Sequence, residues 1–232
     1  MILYVIRHGD PDYENDSLTE LGIRQAESLG RRLQKSGITH VFSSPNGRAR
    51  MTAEPICRRL GLQAELEPWM SEDLNDAFSH VGGGWCFYVP CEESKSPENI
   101  AYGDRWYDAP PYRNAVDARC RYEDIGRASD TFTARFGLRR EGRLYRVTEK
   151  SRAHVAAFCH QGTSLAWLSY LLGISPAVFW ANFDMTLSGY TVLDFGEADE
   201  GTLVAPKCIC HSEMSHIYEA ALPMVYDGRG NV

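Results

Sequence analysis

Five short segments at the start of the chain alternate in character, and that alternation narrows the fold more than any other feature. Ile2-Leu3-Tyr4-Val5-Ile6 is an apolar, β-prone run of strand length. A polar turn, Asp10 to Ser17, leads into Leu18-Thr19-Glu20-Leu21-Gly22. There Thr19 is a candidate N-cap, and Leu21, Gln25, Leu29 and Leu33 recur at helical spacing before Gly37. Thr39 to Ser43 reads as a second strand, Ser44-Pro45-Asn46 turns into a second helix that stops at Gly61, and Ala64-Glu65-Leu66 is a third strand. Strand, helix, strand, helix, strand predicts an α/β fold: a doubly wound, mostly parallel central sheet with helices on both faces.

The rhythm breaks between about Leu74 and Arg113. This stretch holds Gly82-Gly83-Gly84, several prolines and the aromatics Phe78, Trp85, Phe87, Tyr88, Tyr102, Trp106, Tyr107 and Tyr112. Its aromatic content argues for an ordered insertion, either a lid over a binding site or a small packed subdomain. A helix is expected from Asn114 to Phe136, a strand at Leu144–Val147 and a buried strand at Ala153–Cys159. Ser164 to Leu172 reads as an apolar helix closed by Gly173. Gly189–Phe195 and Thr202–Cys210 read as a terminal hairpin around Gly196 to Gly201. With no internal repeat and no linker, residues 1–232 are expected to form one domain with an insertion at about 74–113.

Composition bounds the partners. The 232 residues carry a formal net charge of −7, which disfavours nucleic acid, whose backbone demands a basic face. A small anion remains possible, because a local arginine cluster outweighs a weak global field. No signal-peptide pattern and no membrane-length apolar run stands out, and the seven cysteines lack a disulfide framework. Reduced thiols and a cytoplasmic location are expected.

The chemistry gathers at strand ends. The first strand delivers Arg7, His8 and Gly9. The second delivers Ser43-Ser44-Pro45 and then Arg48 in the first turn of a helix. The third is followed by Glu72, and the later strand by His160. In a parallel sheet these ends converge on one edge, where ligands bind in open α/β folds. Two arginines, two histidines, a carboxyl group and a helix N-terminus suit attack on a phosphoryl group, with glycine allowing close backbone approach.

Four co-ordered motifs carry a family resemblance. They are Arg7-His8-Gly9; Leu18-Thr19-Glu20-Leu21-Gly22-Ile23-Arg24-Gln25-Ala26; Ser43-Ser44-Pro45-Asn46-Gly47-Arg48-Ala49-Arg50-Met51-Thr52-Ala53; and Cys159-His160-Gln161-Gly162-Thr163. In these the chain resembles the histidine phosphatase superfamily, the phosphoglycerate mutase-like family, over the first seventy or so residues and again from about Val155. The resemblance implies a phosphoglycerate mutase-like fold. It also implies His8 as a nucleophile that becomes a transient phosphohistidine, and Arg7, Arg48 and His160 as ligands of the phosphoryl oxygens. The backbone N–H of Gln161, near a helix start, is a further candidate donor. The implied acid lies shortly after the third strand, where Glu72 fits best, Asp73 is the fallback and Glu67 a weaker third choice.

Departures from the family pattern bear on the substrate. Asp73-Leu74-Asn75-Asp76 replaces a Gly-x-Trp-Glu-Gly sequence, Asp10-Pro11 replaces an acidic-Thr pair, and position 14 is Glu14 rather than Asn. Rival constellations are thinner. A cysteine-phosphatase loop behind Cys159 would need an arginine where Leu165 stands. Cys208, Cys210, His211 and His216 lack the second cysteine pair of a structural zinc site. Arg119, Arg121 and Arg127 are either reach for a second anionic group of the substrate or a solvated helix face. The resulting expectation is a phosphomonoesterase acting on a small phosphorylated metabolite, with no metal or cofactor. The alternatives are mutase-type phosphoryl transfer and a non-catalytic phosphate-binding module.

Overall fold

In the computed structural model, residues 1–80, 84–115 and 117–224 are described. The Val81-Gly82-Gly83 part of the insertion lies outside them. Six strands make the main sheet: β1 (Ile2–Arg7), β2 (His40–Ser43), β3 (Ala64–Leu66), β4 (His154–Cys159), β5 (Tyr190–Asp194) and β6 (Lys207–Glu213). Their order is β6-β5-β1-β4-β2-β3. The β1–β4, β4–β2 and β2–β3 pairs are parallel; β5 and β6 add an antiparallel edge.

Successive side chains of a strand face opposite ways, so β1 feeds two cores. Tyr4 and Ile6 pack with Ala156 and Phe158 against Leu29 and Leu33 of α1 (Glu20–Leu33) and Ala53 and Ile56 of α2 (Gly47–Leu60). Leu3 and Val5 pack with Ala157 and Cys159 against Ile125 and Phe132 of α3 (Ala118–Ala134) and Trp167 and Leu168 of α4 (Gln161–Leu172). Helices therefore cover both faces, as the alternation predicts. Thr19 caps α1 by accepting from the Gly22 amide at 3.1 Å, and α2 ends at Gly61 in the left-handed conformation (φ 66°), which glycine adopts without strain.

The terminal hairpin is corrected. β5 does pair with a later strand, but that strand begins at Lys207, not Thr202. Leu203–Val204 instead joins Leu144–Val147 and Leu138–Glu141 in a separate three-stranded sheet. The register slips between Cys208 and Cys210, which face Leu193 and Val192. Such a bulge breaks the simple alternation that would put both cysteines on one face. The helix expected from Asn114 is shorter, Ala118–Ala134.

The insertion is a string of single turns and short helices around one ring. Trp180, at the end of the short helix Pro176–Trp180, meets Phe87 at 4.8 Å, Trp106 at 4.9 Å, Phe78 at 5.8 Å and Tyr112 at 6.1 Å between centroids. Of the aromatics detected in the sequence, Phe78, Phe87, Trp106 and Tyr112 thus belong to the core that α3 and α4 close, Trp85, Tyr102 and Tyr107 pack against it, and Tyr88 is exposed. Among the described residues, no helix is long and apolar enough to cross a membrane.

Candidate active site

Parallel pairing brings the carboxyl ends of β1, β2, β3 and β4 to one edge. His8 follows β1, Ser44 follows β2, and His160 follows β4. Arg48 sits in the first turn of α2. Glu72 opens a 3₁₀ turn (Glu72–Phe78) a few residues beyond β3. One ligand atom from each of His8, Glu72 and His160 lies within 4.8 Å of the others. Arg7, His8, Arg48 and His160 are buried, and the Glu72 side chain is a quarter exposed.

His8 is held by its own neighbour. Its Nδ1 lies 2.7 Å from the Gly9 carbonyl oxygen, which can only accept, so Nδ1 carries the proton and Nε2 keeps its lone pair. Gly9 is itself pinned: its amide donates to Thr52 Oγ1 at 3.0 Å, and a Cβ there would lie 2.9 Å from the Gly22 carbonyl oxygen. Both polar backbone groups of Gly9 are therefore engaged within the protein, and its place in the site is to hold His8. Burial, and next the adjacent Arg7, hold the His8 pKa well below the ordinary imidazole range.

His160 is oriented from the other side. Ser44 Oγ donates to Asn46 Oδ1 at 2.9 Å, so it accepts from His160 Nε2–H at 2.8 Å. This leaves His160 Nδ1 facing Glu72 Oε2 at 3.4 Å. Burial, then His8, lower the His160 pKa as well, while burial raises that of Glu72. Burial thus favours the neutral form of both groups where Glu72 and His160 face each other.

The arginines frame this trio. Arg7 donates through a terminal nitrogen to the Met185 carbonyl, and Arg48 pairs with Asp16 at 2.5 Å. Among the described residues, the buried Nε of each has no hydrogen-bond partner. An anion taking oxygens from both would satisfy donors that are otherwise costly to bury. Gln161 opens α4, where backbone amides lack intrahelical acceptors. Its side-chain carbonyl accepts from Tyr88 Oη at 2.7 Å, and its amide nitrogen donates to Asp184.

The other candidate acids point elsewhere. Asp73 accepts from Asn46 Nδ2 at 3.1 Å, and Glu67 pairs with Arg135 at 2.6 Å. Arg121 is neither of the things expected of it. It is buried, donates to Asn75 Oδ1 at 3.1 Å and to the Trp69 carbonyl at 2.9 Å, and Asn75 in turn donates to Glu72 Oε1 at 2.7 Å. Arg119 and Arg127 are exposed partners of Glu123 and Asp124. Cys159 Sγ lies 3.1 Å from Ser164 Oγ, and burial pushes its thiol up to about 12, far from a thiolate nucleophile. His211 is also committed, with Nδ1 3.0 Å from Thr191 Oγ1 and Nε2 2.8 Å from the Asp184 carbonyl oxygen.

Sequence reasoning missed Tyr13, Asp16, Asn75 and Asp184. Asn75 stood in a quoted departure from the family pattern; the other three carried no spacing signal. Over the trio lies a cleft of about 270 Å³, lined by Arg7, His8, Tyr13, Glu72, Trp85, Phe87, Tyr88, Gln161 and Gly162.

Known proteins resemble this chain in sequence over its first third and in fold. The sequence profile of the histidine phosphatase superfamily (branch 1) matches residues 3–78. The "Probable phosphoglycerate mutase GpmB" of Yersinia pestis (strain Pestoides F) is 38% identical over 79 residues, which is 30% of this chain and 37% of that protein. The match thus spans little more than a third of the length of these curated relatives. The structure of phosphoserine phosphatase from Entamoeba histolytica in complex with 3-phosphoglyceric acid superposes with a TM-score of 0.61 at 20% identity, covering 93% of this chain and 98% of that one. The likeness in sequence to the histidine phosphatase superfamily is thus confined to the first third of the chain, while the likeness in fold runs through nearly all of it. A mycobacterial glucosyl-3-phosphoglycerate phosphatase is also similar to this chain in fold, with a TM-score of 0.60, 19% identity and coverage of 91% and 98%.

Proposed function

We propose that the chain is a phosphomonoester hydrolase that works by two successive transfers through His8. The observation that carries this reading is the pairing of an Nδ1-protonated His8 with a raised-pKa Glu72 and with His160, all within 4.8 Å between two buried arginines. In the first step His8 Nε2 attacks phosphorus, and the bond from phosphorus to the ester oxygen breaks. Arg7 and Arg48 hold the equatorial oxygens as charge builds, with His160 Nδ1 beside Glu72. Glu72 gives its proton to the departing alkoxide. In the second step the Glu72 carboxylate takes a proton from water, whose oxygen attacks the phosphohistidine. The P–N bond breaks, inorganic phosphate leaves, and His8 returns to its starting tautomer. The arginines supply the positive charge that a metal supplies in other phosphoryl-transfer sites.

The test is a trap. Rapid quenching of the protein with a ³²P-labelled monoester should give an acid-labile, alkali-stable adduct on His8. His8→Ala should lose both the adduct and turnover. Normal turnover by that variant refutes the proposal. Phosphate binding without any adduct would favour a non-catalytic phosphate-binding module.

A further inference from the structure

The cleft above His8 has two unlike halves. Its floor is polar, formed by Arg7, His8 and Glu72. Its walls are aromatic, with Trp85, Phe87, Tyr88 and Tyr13 around the opening. Tyr13 and Tyr88 are 68% and 51% exposed, high for large rings at a cleft mouth. The Trp85 and Phe87 rings lie within 26° of parallel at 6.3 Å, and Phe87 is backed by Trp180.

What the walls lack is as informative. Among the described residues lining the cleft, Arg7 is the one Lys or Arg, and it belongs to the floor. The neighbouring groove beyond Trp85 and Tyr88 adds His80 and Glu93 among the described residues, again without Lys or Arg. The arginines of α3 are committed elsewhere: Arg121 to Asn75 and Trp69, Arg119 to Glu123, and Arg127 to Asp124. Arg48, whose guanidinium lies 5.4 Å from the Tyr13 ring centroid, is paired with Asp16, and the negative charge of Asp184 stands behind Gln161. A carboxylate or second phosphate on the departing alcohol would leave water without a cation to receive it. A cationic group would stand close to Arg7. A flat, uncharged ring meets neither penalty and gains contact with rings on the walls.

We infer, building on the hydrolase reading above, that the site selects phosphomonoesters whose alcohol carries an uncharged aromatic ring. It discriminates against those bearing a carboxylate or a second phosphate. Trp85 and Tyr88 are the specificity-determining residues.

Benzyl phosphate, glycerol 3-phosphate, 3-phosphoglycerate and phosphocholine test this, because all release alkyl alcohols and leaving-group acidity does not decide the order. Benzyl phosphate should have the highest kcat/KM, exceeding 3-phosphoglycerate by at least about tenfold. Trp85→Ala should lower kcat/KM for benzyl phosphate far more than for glycerol 3-phosphate, erasing the advantage of the former. Tyr88→Arg should raise kcat/KM for 3-phosphoglycerate and lower it for benzyl phosphate. Equal or faster turnover of 3-phosphoglycerate or phosphocholine overturns the selectivity and leaves the hydrolase reading standing. Equal slowing of both neutral esters in Trp85→Ala removes the aromatic contact as its source. If no ester is hydrolysed and His8 takes up no phosphoryl group, the hydrolase reading fails and this inference with it.

Discussion

His8 and His160 lie 5.2 Å apart between ring centroids and carry their protons on opposite nitrogens. His8 is protonated at Nδ1 by its bond to the Gly9 carbonyl, and His160 at Nε2 by its bond to Ser44. Each ring therefore keeps its lone pair on the nitrogen its neighbours leave free. One backbone carbonyl and one serine thus set two similar side chains in opposite tautomers, His8 with its lone pair on Nε2 and His160 with its lone pair toward Glu72.

The pH dependence of kcat follows from the His8 setting. Attack needs the neutral ring, and burial together with Arg7 lowers its pKa well below 6.5. With nitrophenyl phosphate, whose leaving group needs no proton, kcat should stay level as pH falls through 6.5. It should decline only in more acidic solution. An acid limb centred at the ordinary histidine value would show that His8 is not the titrating nucleophile.

Glu72 should matter in proportion to the basicity of the leaving group. Its carboxyl is kept protonated above the ordinary carboxylic range by burial, against the opposing pull of its bond from Asn75. Glu72→Gln should lower kcat for an alkyl phosphate by about 10²-fold or more and for nitrophenyl phosphate far less. Similar losses on both substrates would move the acid elsewhere. Asp73 would be a poor replacement, since Asn46 holds its carboxylate.

Stability should fall on acidification through a separate consequence of the same burial. His8, His160 and His216 are all buried with lowered pKa values, that of His216 at about 4. Between pH 6.5 and those values the unfolded chain binds protons that the native state refuses. Unfolding free energy therefore rises with pH across that window and drops as pH falls, by up to about 1.4 kcal/mol per pH unit for each group. Glu72 works in the opposite sense, because its raised pKa makes the native state hold a proton that the unfolded chain has released, so part of the slope is offset. Urea denaturation at pH 7 and pH 5 checks this. His216→Gln should flatten the dependence without touching the site; an unchanged slope would exclude His216 as a contributor.

The parts of this structure that the sequence displays are those with a period or a fixed neighbour. β1 shows as an apolar run, α1 as leucines three to four apart, and Arg7, His8, Arg48 and His160 as residues attached to strand ends. Glu72 is marked by the family resemblance, which implies an acid shortly after the third strand and leaves Asp73 and Glu67 as alternatives. Contacts between distant segments left no such mark. Arg121 reaches Asn75 across 46 positions, and Gln161 reaches Tyr88 across 73. Leu203–Val204 looked like part of a hairpin because adjacency in sequence is the commonest route to pairing, but the second sheet captured it. The aromatic insertion announced itself by composition alone. Of its rings that line the cleft, Phe87 is backed by Trp180, which lies outside the insertion.

Trp180 therefore offers a way to separate packing from recognition. It is buried among Phe78, Phe87, Trp106 and Tyr112, and its Nε1 has no hydrogen-bond partner among the described residues. Trp180→Ala should cost about 3–5 kcal/mol of stability, because the surrounding rings cannot collapse into the space. It should also raise KM, since Phe87 loses the surface that fixes it at the cleft. Trp180→Phe keeps a ring in contact and removes a buried donor that gains nothing where it lies. Its loss should be well under half that of the alanine variant, with KM close to the parent value. Equal destabilisation by both substitutions would mean that the indole nitrogen, and not the ring stack, anchors the wall of the cleft.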